Sequence, residues 1–288
     1  MIEAYAFLVA FTAQILVISV LYPAWFIRYV RVKTASFPAE RFARLFPGVD
    51  RSHSVERFAT RYRALNTGIA VLGLLLLFWL FRYLRRPDWN YGPVQALVTV
   101  YFLAAQMLPL FLVVWRAVRF NKEHKRLVTE GKRTASLQRR GLFDFVSPFV
   151  VFAAVLSYGL FAAFVIYLQR HPFPGFGGLI NIGVITLVYA LNAFVVYMML
   201  YGKKGSPFET HAGRLHTIGF AVKSSVYSCI AIVVFVSLNF SLALLDLRRW
   251  NPFALSIFFI VTVLLASMGF TAPPRQSEAD ELGSNPVP

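Results

Sequence analysis

The segment ALNTGIAVLGLLLLFWLF, residues 64–81, contains no acidic or basic side chain and is dominated by leucine. An α-helix needs about 20 predominantly apolar residues to cross a hydrocarbon core about 30 Å thick, so these eighteen residues are long enough to span, or nearly so. It is the shortest of seven such uncharged runs in the chain. We therefore predict an all-α fold, a polytopic helical bundle in a single membrane domain. The predicted transmembrane helices are 4–27, 64–81, 89–115, 145–169, 179–202, 216–245 and 252–271.

The composition of the whole chain supports this prediction. Of its 288 residues, 58% are hydrophobic and 15% are charged, whereas charged residues make up roughly 25% of a soluble domain. The polar sequence is too sparse for a folded catalytic domain outside the membrane. The single cysteine, Cys229, excludes an internal disulfide and a cysteine-based metal cluster. No histidine and carboxylate spacing indicates a metal site, and we predict neither a metal nor a cofactor.

The distribution of basic residues predicts how the chain is oriented. Arg28, Arg31 and Lys33 directly follow the first apolar run, and Lys and Arg are retained on the cytoplasmic side of a membrane. This places the N-terminus outside and the C-terminus in the cytoplasm. The predicted inner loops then carry 21 Lys and Arg residues and the outer loops carry 6. We expect a plasma-membrane location, which is the inner membrane in a bacterium.

The net charge of +16 follows mainly from this orientation. No RNA-binding aromatic motif and no zinc finger accompanies the basic residues, so we do not expect nucleic acid as a partner.

The order of the spans suggests one helix followed by three helical hairpins. At an offset of 163 residues, Leu84-Arg85-Arg86 and Val98-Thr99-Val100 recur as Leu247-Arg248-Arg249 and Val261-Thr262-Val263. Hairpin duplication explains this match, but so does chance, because basic loops followed by Val and Thr are common in membrane helices.

Two basic segments, 28–63 and 116–144, lie on the predicted cytoplasmic side. Within the first, residues 54–65 and 39–46 show amphipathic helical patterns, with arginines on one face and aromatic and aliphatic residues on another. We expect such helices to lie on the inner membrane surface and bind anionic headgroups. The predicted headgroup contacts are Arg57, Arg61, Arg41 and Arg44. The polar tail 272–288 has no apolar period and is predicted to be disordered.

Polar side chains inside the apolar runs are the remaining candidates for a site, because they are costly in hydrocarbon unless they face protein or water. Lys223 lies within the sixth span, and Asp144 lies at the cytoplasmic end of the fourth. The two residues are at a comparable level, so they can pair. Either Lys223 is structural, reaching the inner interface or forming one ion pair that tethers two helices, or it belongs to a charged vestibule for an anionic solute or headgroup. Gln14, Gln106 and Asn192 are predicted near mid-membrane, where they either line a pathway or join helices.

These features favour a non-enzymatic membrane protein that moves or holds a small solute or a lipid between its helices. The alternative is a structural or accessory subunit whose basic cytoplasmic face docks a partner complex or anionic lipid. An enzyme that acts on a lipid ranks third, since the sequence assembles no acid, base or nucleophile. The expected partners are membrane lipids, with either another protein or a second copy of the chain.

Overall fold

The computed structural model describes residues 2–35, 50–124, 141–202 and 211–267. Within these ranges the fold is all helical, and seven helices are long and apolar enough to cross a membrane, which confirms the predicted bundle. We number them α1 to α7 in chain order. Their bounds are α1 Ile2–Ala35, α2 Arg51–Leu84, α3 Tyr91–Val100 continuing through Tyr101–Gln106 and Leu108–His124, α4 Pro148–Arg170, α5 Ile180–Tyr201, α6 His211–Leu244 and α7 Asn251–Ser267.

The seven helices form two groups. Helices α1, α2, α3 and α7 share one hydrophobic core. Its buried residues include Phe11, Leu80, Val98 and Phe259. Helices α4, α5 and α6 share smaller cores around residues such as Phe161. Helix α6 packs along α7 and so joins the two groups.

The packing does not simply follow the predicted hairpins. Short turns do connect α2 to α3, α4 to α5 and α6 to α7. However, α4 and α5 each pack more extensively on α6 than on each other, and α7 packs on α1 as closely as on α6. Helix α7 also contacts the first part of α3, where Phe102 and Phe259 stack with ring centroids 3.8 Å apart.

Helices α1 and α2 both continue beyond their apolar runs. Each has 34 residues, so each is about 51 Å long, well beyond a hydrocarbon core of about 30 Å. Basic residues do not end these helices, because Lys and Arg are good helix formers. We call the paired segments at this end of the two helices, residues 22–35 and 51–63, the stalk.

The predicted amphipathic helix at 54–65 is present and runs directly into the rest of α2. Its apolar face is covered by another helix rather than left for the membrane surface. Phe58, Ala59 and Tyr62 pack instead on Phe26 and Ile27 of α1, with the Phe26 and Tyr62 ring centroids 5.4 Å apart. The amphipathic pattern is therefore explained by packing between the two helices of the stalk. The second amphipathic segment, residues 39–46, and the tail 272–288 lie outside the described residues.

Candidate functional site

Two of the helices contain π-helical segments just before a proline. In α1, Val17–Leu21 precedes Pro23, and the Tyr22 N–H donates to the Val17 carbonyl. In α3, Tyr101–Gln106 precedes Pro109, and the Met107 N–H donates to the Phe102 carbonyl at 2.9 Å. Proline has no N–H and its ring crowds the preceding turn, so the ladder of backbone bonds must change there. The wider π-helical turns change the directions in which the neighbouring side chains point.

These two segments bring Gln14, Ser19 and Gln106 together. The Gln14 Nε2 donates to Gln106 Oε1 at 2.8 Å, and the Gln106 Nε2 donates to Ser19 Oγ at 3.1 Å. All three side chains are almost fully buried, with exposed fractions of 0%, 3% and 4%. Two of the predicted polar residues, Gln14 and Gln106, are thus brought together, whereas the sequence did not indicate Ser19. We call these three residues the amide cluster.

The amide cluster is closed on one side by Tyr101. Its hydroxyl donates to the Ile69 carbonyl of α2 at 2.9 Å and lies close to Ser19 and Gln106. The approach is possible because α2 has a glycine there: a Cβ at Gly73 would overlap the Tyr101 hydroxyl and would lie 2.9 Å from Ile15 Cγ1. Helices α1, α2 and α3 therefore meet through polar contacts at this level. Gln14 Oε1 is buried and has no hydrogen-bond donor among the described residues.

The structure places the other predicted polar residues elsewhere. Asp144 is exposed, and its carboxylate accepts from the Gly141 N–H at 2.7 Å, which fixes a short turn before α4. Lys223 is exposed on α6, and no ion pair or hydrogen bond joins it to Asp144 in the described part of the chain. Asn192 donates to the Val188 carbonyl of its own helix at 2.9 Å. These three residues do not join the amide cluster.

Two of the four predicted headgroup contacts lie within the described residues. Arg57 and Arg61 are exposed on the stalk. Arg41 and Arg44 lie outside the described residues. Contact of any of the four with lipid stays a prediction.

A groove between α1 and α2 is a feature that sequence reasoning missed. Its volume is about 690 Å³, within the range of roughly 300–1,000 Å³ that is typical of ligand pockets. The only signal in the sequence is the pair of small side chains Thr12 and Ala13, which leave space opposite the larger residues of α2. The groove is lined by Leu8, Val9, Thr12, Ala13, Leu16, Leu74, Leu77, Phe78 and Phe81.

The groove is apolar and open to the side on which lipid would lie. Val9 and Phe78 keep 71% and 64% of their surface exposed. Its one polar side chain, Thr12, donates its hydroxyl proton to the Leu8 carbonyl at 2.7 Å. The groove can therefore contact a ligand through apolar side chains, and its lining has no free hydrogen-bond donor.

Among the described residues, no group of three or more His, Cys, Asp or Glu side chains is placed to hold a metal ion. In comparisons with known proteins, no family model, no curated protein and no solved structure matches this chain.

Proposed function

We propose that this integral membrane protein holds a lipid in the groove between α1 and α2. The observation that carries the proposal is the groove itself, an apolar depression of about 690 Å³ on the exposed side of two packed helices. From Leu8 to Leu16 it follows eight helical steps, about 12 Å, which is enough to seat a large part of one acyl chain.

Binding is favoured over movement of a polar solute because the predicted polar residues are not arranged along a path. Gln14 and Gln106 bond to each other inside a packed core, and Asn192 bonds to its own helix. The amide cluster acts in this arrangement as a tie between α1 and α3. That tie holds one wall of the groove in place, since α1 supplies Leu8 through Leu16.

The chemistry of the lining favours a non-enzymatic role. Cleavage or transfer at a lipid needs a nucleophile or a proton donor within reach of the reacting atom. Thr12 is the one side chain with a polar atom in the groove, and its proton is already given to a backbone carbonyl.

The test is to fill the groove and measure bound lipid. Ala13→Trp places a large ring in the groove, and native mass spectrometry of the purified protein should then show loss of co-purified phospholipid. Ala193→Trp is the matched control, because Ala193 is exposed on α5, away from the groove. Equal lipid retention in both folded variants would overturn the proposal.

The stalk supports a second candidate, an accessory subunit that docks a partner through its basic surface. Arg57, Arg61 and Arg63 are all exposed there, and the stalk is rigidified by packing between Phe26, Phe58 and Tyr62. Purification in mild detergent should then recover a stoichiometric partner, and Arg57→Glu with Arg61→Glu should release it. A lone protein that retains lipid favours the groove over docking.

A further inference from the structure

The face of α2 that lines the groove continues into two arginines. Residues four and seven positions apart share a face of an α-helix. Arg82 and Arg85 lie four and seven residues after Phe78, and Arg85 also lies four residues after Phe81. Both arginines therefore lie on the groove side of α2, at the end of the bundle opposite the stalk.

A direct contact joins one of these arginines, Arg85, to the groove. The guanidinium of Arg85 lies 4.2 Å from the centroid of the Phe81 ring, and Phe81 is a lining residue. Arg82 and Arg85 are both exposed, so their charges are free to meet a ligand at the mouth of the groove. Arg86 differs from them, because its guanidinium lies over Tyr83, which is not a lining residue.

We infer that the groove selects an anionic phospholipid, with its acyl chain along Leu74 to Phe81 and its phosphate between Arg82 and Arg85. This inference rests on the proposed lipid-holding function and adds the class of lipid. In the predicted orientation the headgroup lies in the outer leaflet.

The arginines, rather than the groove, must supply the selectivity. An acyl chain gains little from moving between bilayer and groove, because lipid tails are as apolar as leucine side chains. A planar guanidinium, in contrast, matches a phosphate with two parallel hydrogen bonds. Two neighbouring guanidinium groups favour a headgroup with a net negative charge over phosphatidylcholine, whose quaternary ammonium cancels the charge of its phosphate. Tyr5 extends the groove face of α1 at the same end, four residues before Val9, and is exposed there as an additional donor.

The charge around the mouth suits an anion. From residue 82 to residue 92 the chain carries Arg82, Arg85, Arg86 and one acid, Asp88. Glu3, the acid of α1 near this end, lies four and eight residues before Phe7 and Phe11, so it shares their face of the helix rather than that of Val9. The local balance is therefore positive beside the groove.

The experiment compares two lipids with the same chains, phosphatidylglycerol and phosphatidylcholine, bound to purified protein and counted by native mass spectrometry. Wild-type protein should favour the anionic lipid, by about fivefold for each arginine engaged. Arg82→Gln with Arg85→Gln should remove the preference but leave lipid bound. Arg86→Gln is the matched control and should keep the preference. Inorganic phosphate should not compete, because it lacks the chain.

The outcomes separate this inference from the proposed function. If wild-type protein binds both lipids equally, or if the double variant keeps the preference, the inference is wrong while the groove still holds lipid. If phosphate competes fully, the arginines bind an ion and not a lipid. If Ala13→Trp leaves both lipids bound, the groove is not the site and both proposals fail.

Discussion

The side-chain amide of Gln14 donates to the side-chain carbonyl of Gln106 at 2.8 Å, across 92 residues of chain. Each of these glutamines lies beside a π-helical segment that precedes a proline. The irregular backbone of α1 and of α3 is thus found where the two helices exchange hydrogen bonds. Elsewhere in the described spans, Asn66, Asn192 and Asn239 bond to carbonyls of their own helices.

Gln106→Leu should therefore destabilise the protein more than Asn192→Leu. The first change leaves the buried Gln14 amide and Ser19 hydroxyl without their partner, at a cost of about 2 kcal/mol, whereas Asn192 loses one bond within its own helix. Cys229 is the natural reporter, since its thiol is buried with an exposed fraction of 6% and reacts with a fluorogenic maleimide only on unfolding. Equal unfolding temperatures for the two variants would contradict this reading of the amide cluster.

Two glycines of α2 should respond oppositely to alanine. Gly73→Ala should destabilise the bundle, because the new methyl group overlaps the Tyr101 hydroxyl and presses on Ile15. Gly68→Ala should be neutral or stabilising by up to about 1 kcal/mol, since a Cβ there meets nothing within 4 Å and alanine favours the helix. Adding Tyr101→Phe should recover part of the loss at Gly73. No recovery would show that the hydroxyl is not the obstacle.

The start of α2 should depend on pH through Asp50. The hydroxyl of Ser52 and the N–H groups of His53 and Ser52 donate to the Asp50 carboxylate and lower its pKa. A lowered folded-state pKa means that the cap stabilises the helix above the ordinary carboxyl pKa and is lost as the pH falls through the folded value. Hydrogen exchange at Ser52 and His53 should accelerate between about pH 5 and about pH 2, after correction for intrinsic rates.

Asp50→Asn is the control for this titration. Asparagine also caps helices but does not ionise in this range, so protection should persist without the pH dependence. If the asparagine variant shows the same acid response, another group causes it.

The orientation predicted from the basic loops has a direct test in a Cys229→Ala background. A cysteine placed in the Pro87–Gly92 loop should react with an impermeant thiol reagent in intact cells. One placed between residues 122 and 133 should react only after the membrane is opened, since the segments on the predicted inner side carry 21 Lys and Arg residues and those on the outer side carry 6. Labelling of the second position in intact cells would reverse the assignment.

The sequence predicted the seven helices because an uncharged run of sufficient length has few alternatives to a membrane helix. The position of a polar residue within its run also predicts a depth in the membrane, and for Gln14 and Gln106 that depth stays a prediction. The sequence did not predict rotation about the helix axis, because that depends on packing with helices distant in the chain. Lys223 and Asp144 were therefore paired by depth alone, and the structure turns Asp144 back to the Gly141 N–H.

The groove and the stalk escaped prediction for a related reason. A groove is a property of two helices together, and Thr12 and Ala13 indicate space only once Leu74 and Phe78 are known to lie opposite. In the stalk, the apolar face of residues 54–65 was visible, but a membrane surface and a second helix select for the same pattern. The partner residues, Phe26 and Ile27 of α1, lie at the end of the first apolar run.

Helix α7 is synthesised long after α3, yet it fills the centre of the first group, against Phe11 of α1 and Phe102 of α3. A chain cut short after α3 would therefore lack the helix that covers this face, and Phe11 and Phe102 would lose their partners on α7. The core of the first group depends on an element encoded at the far end of the described chain.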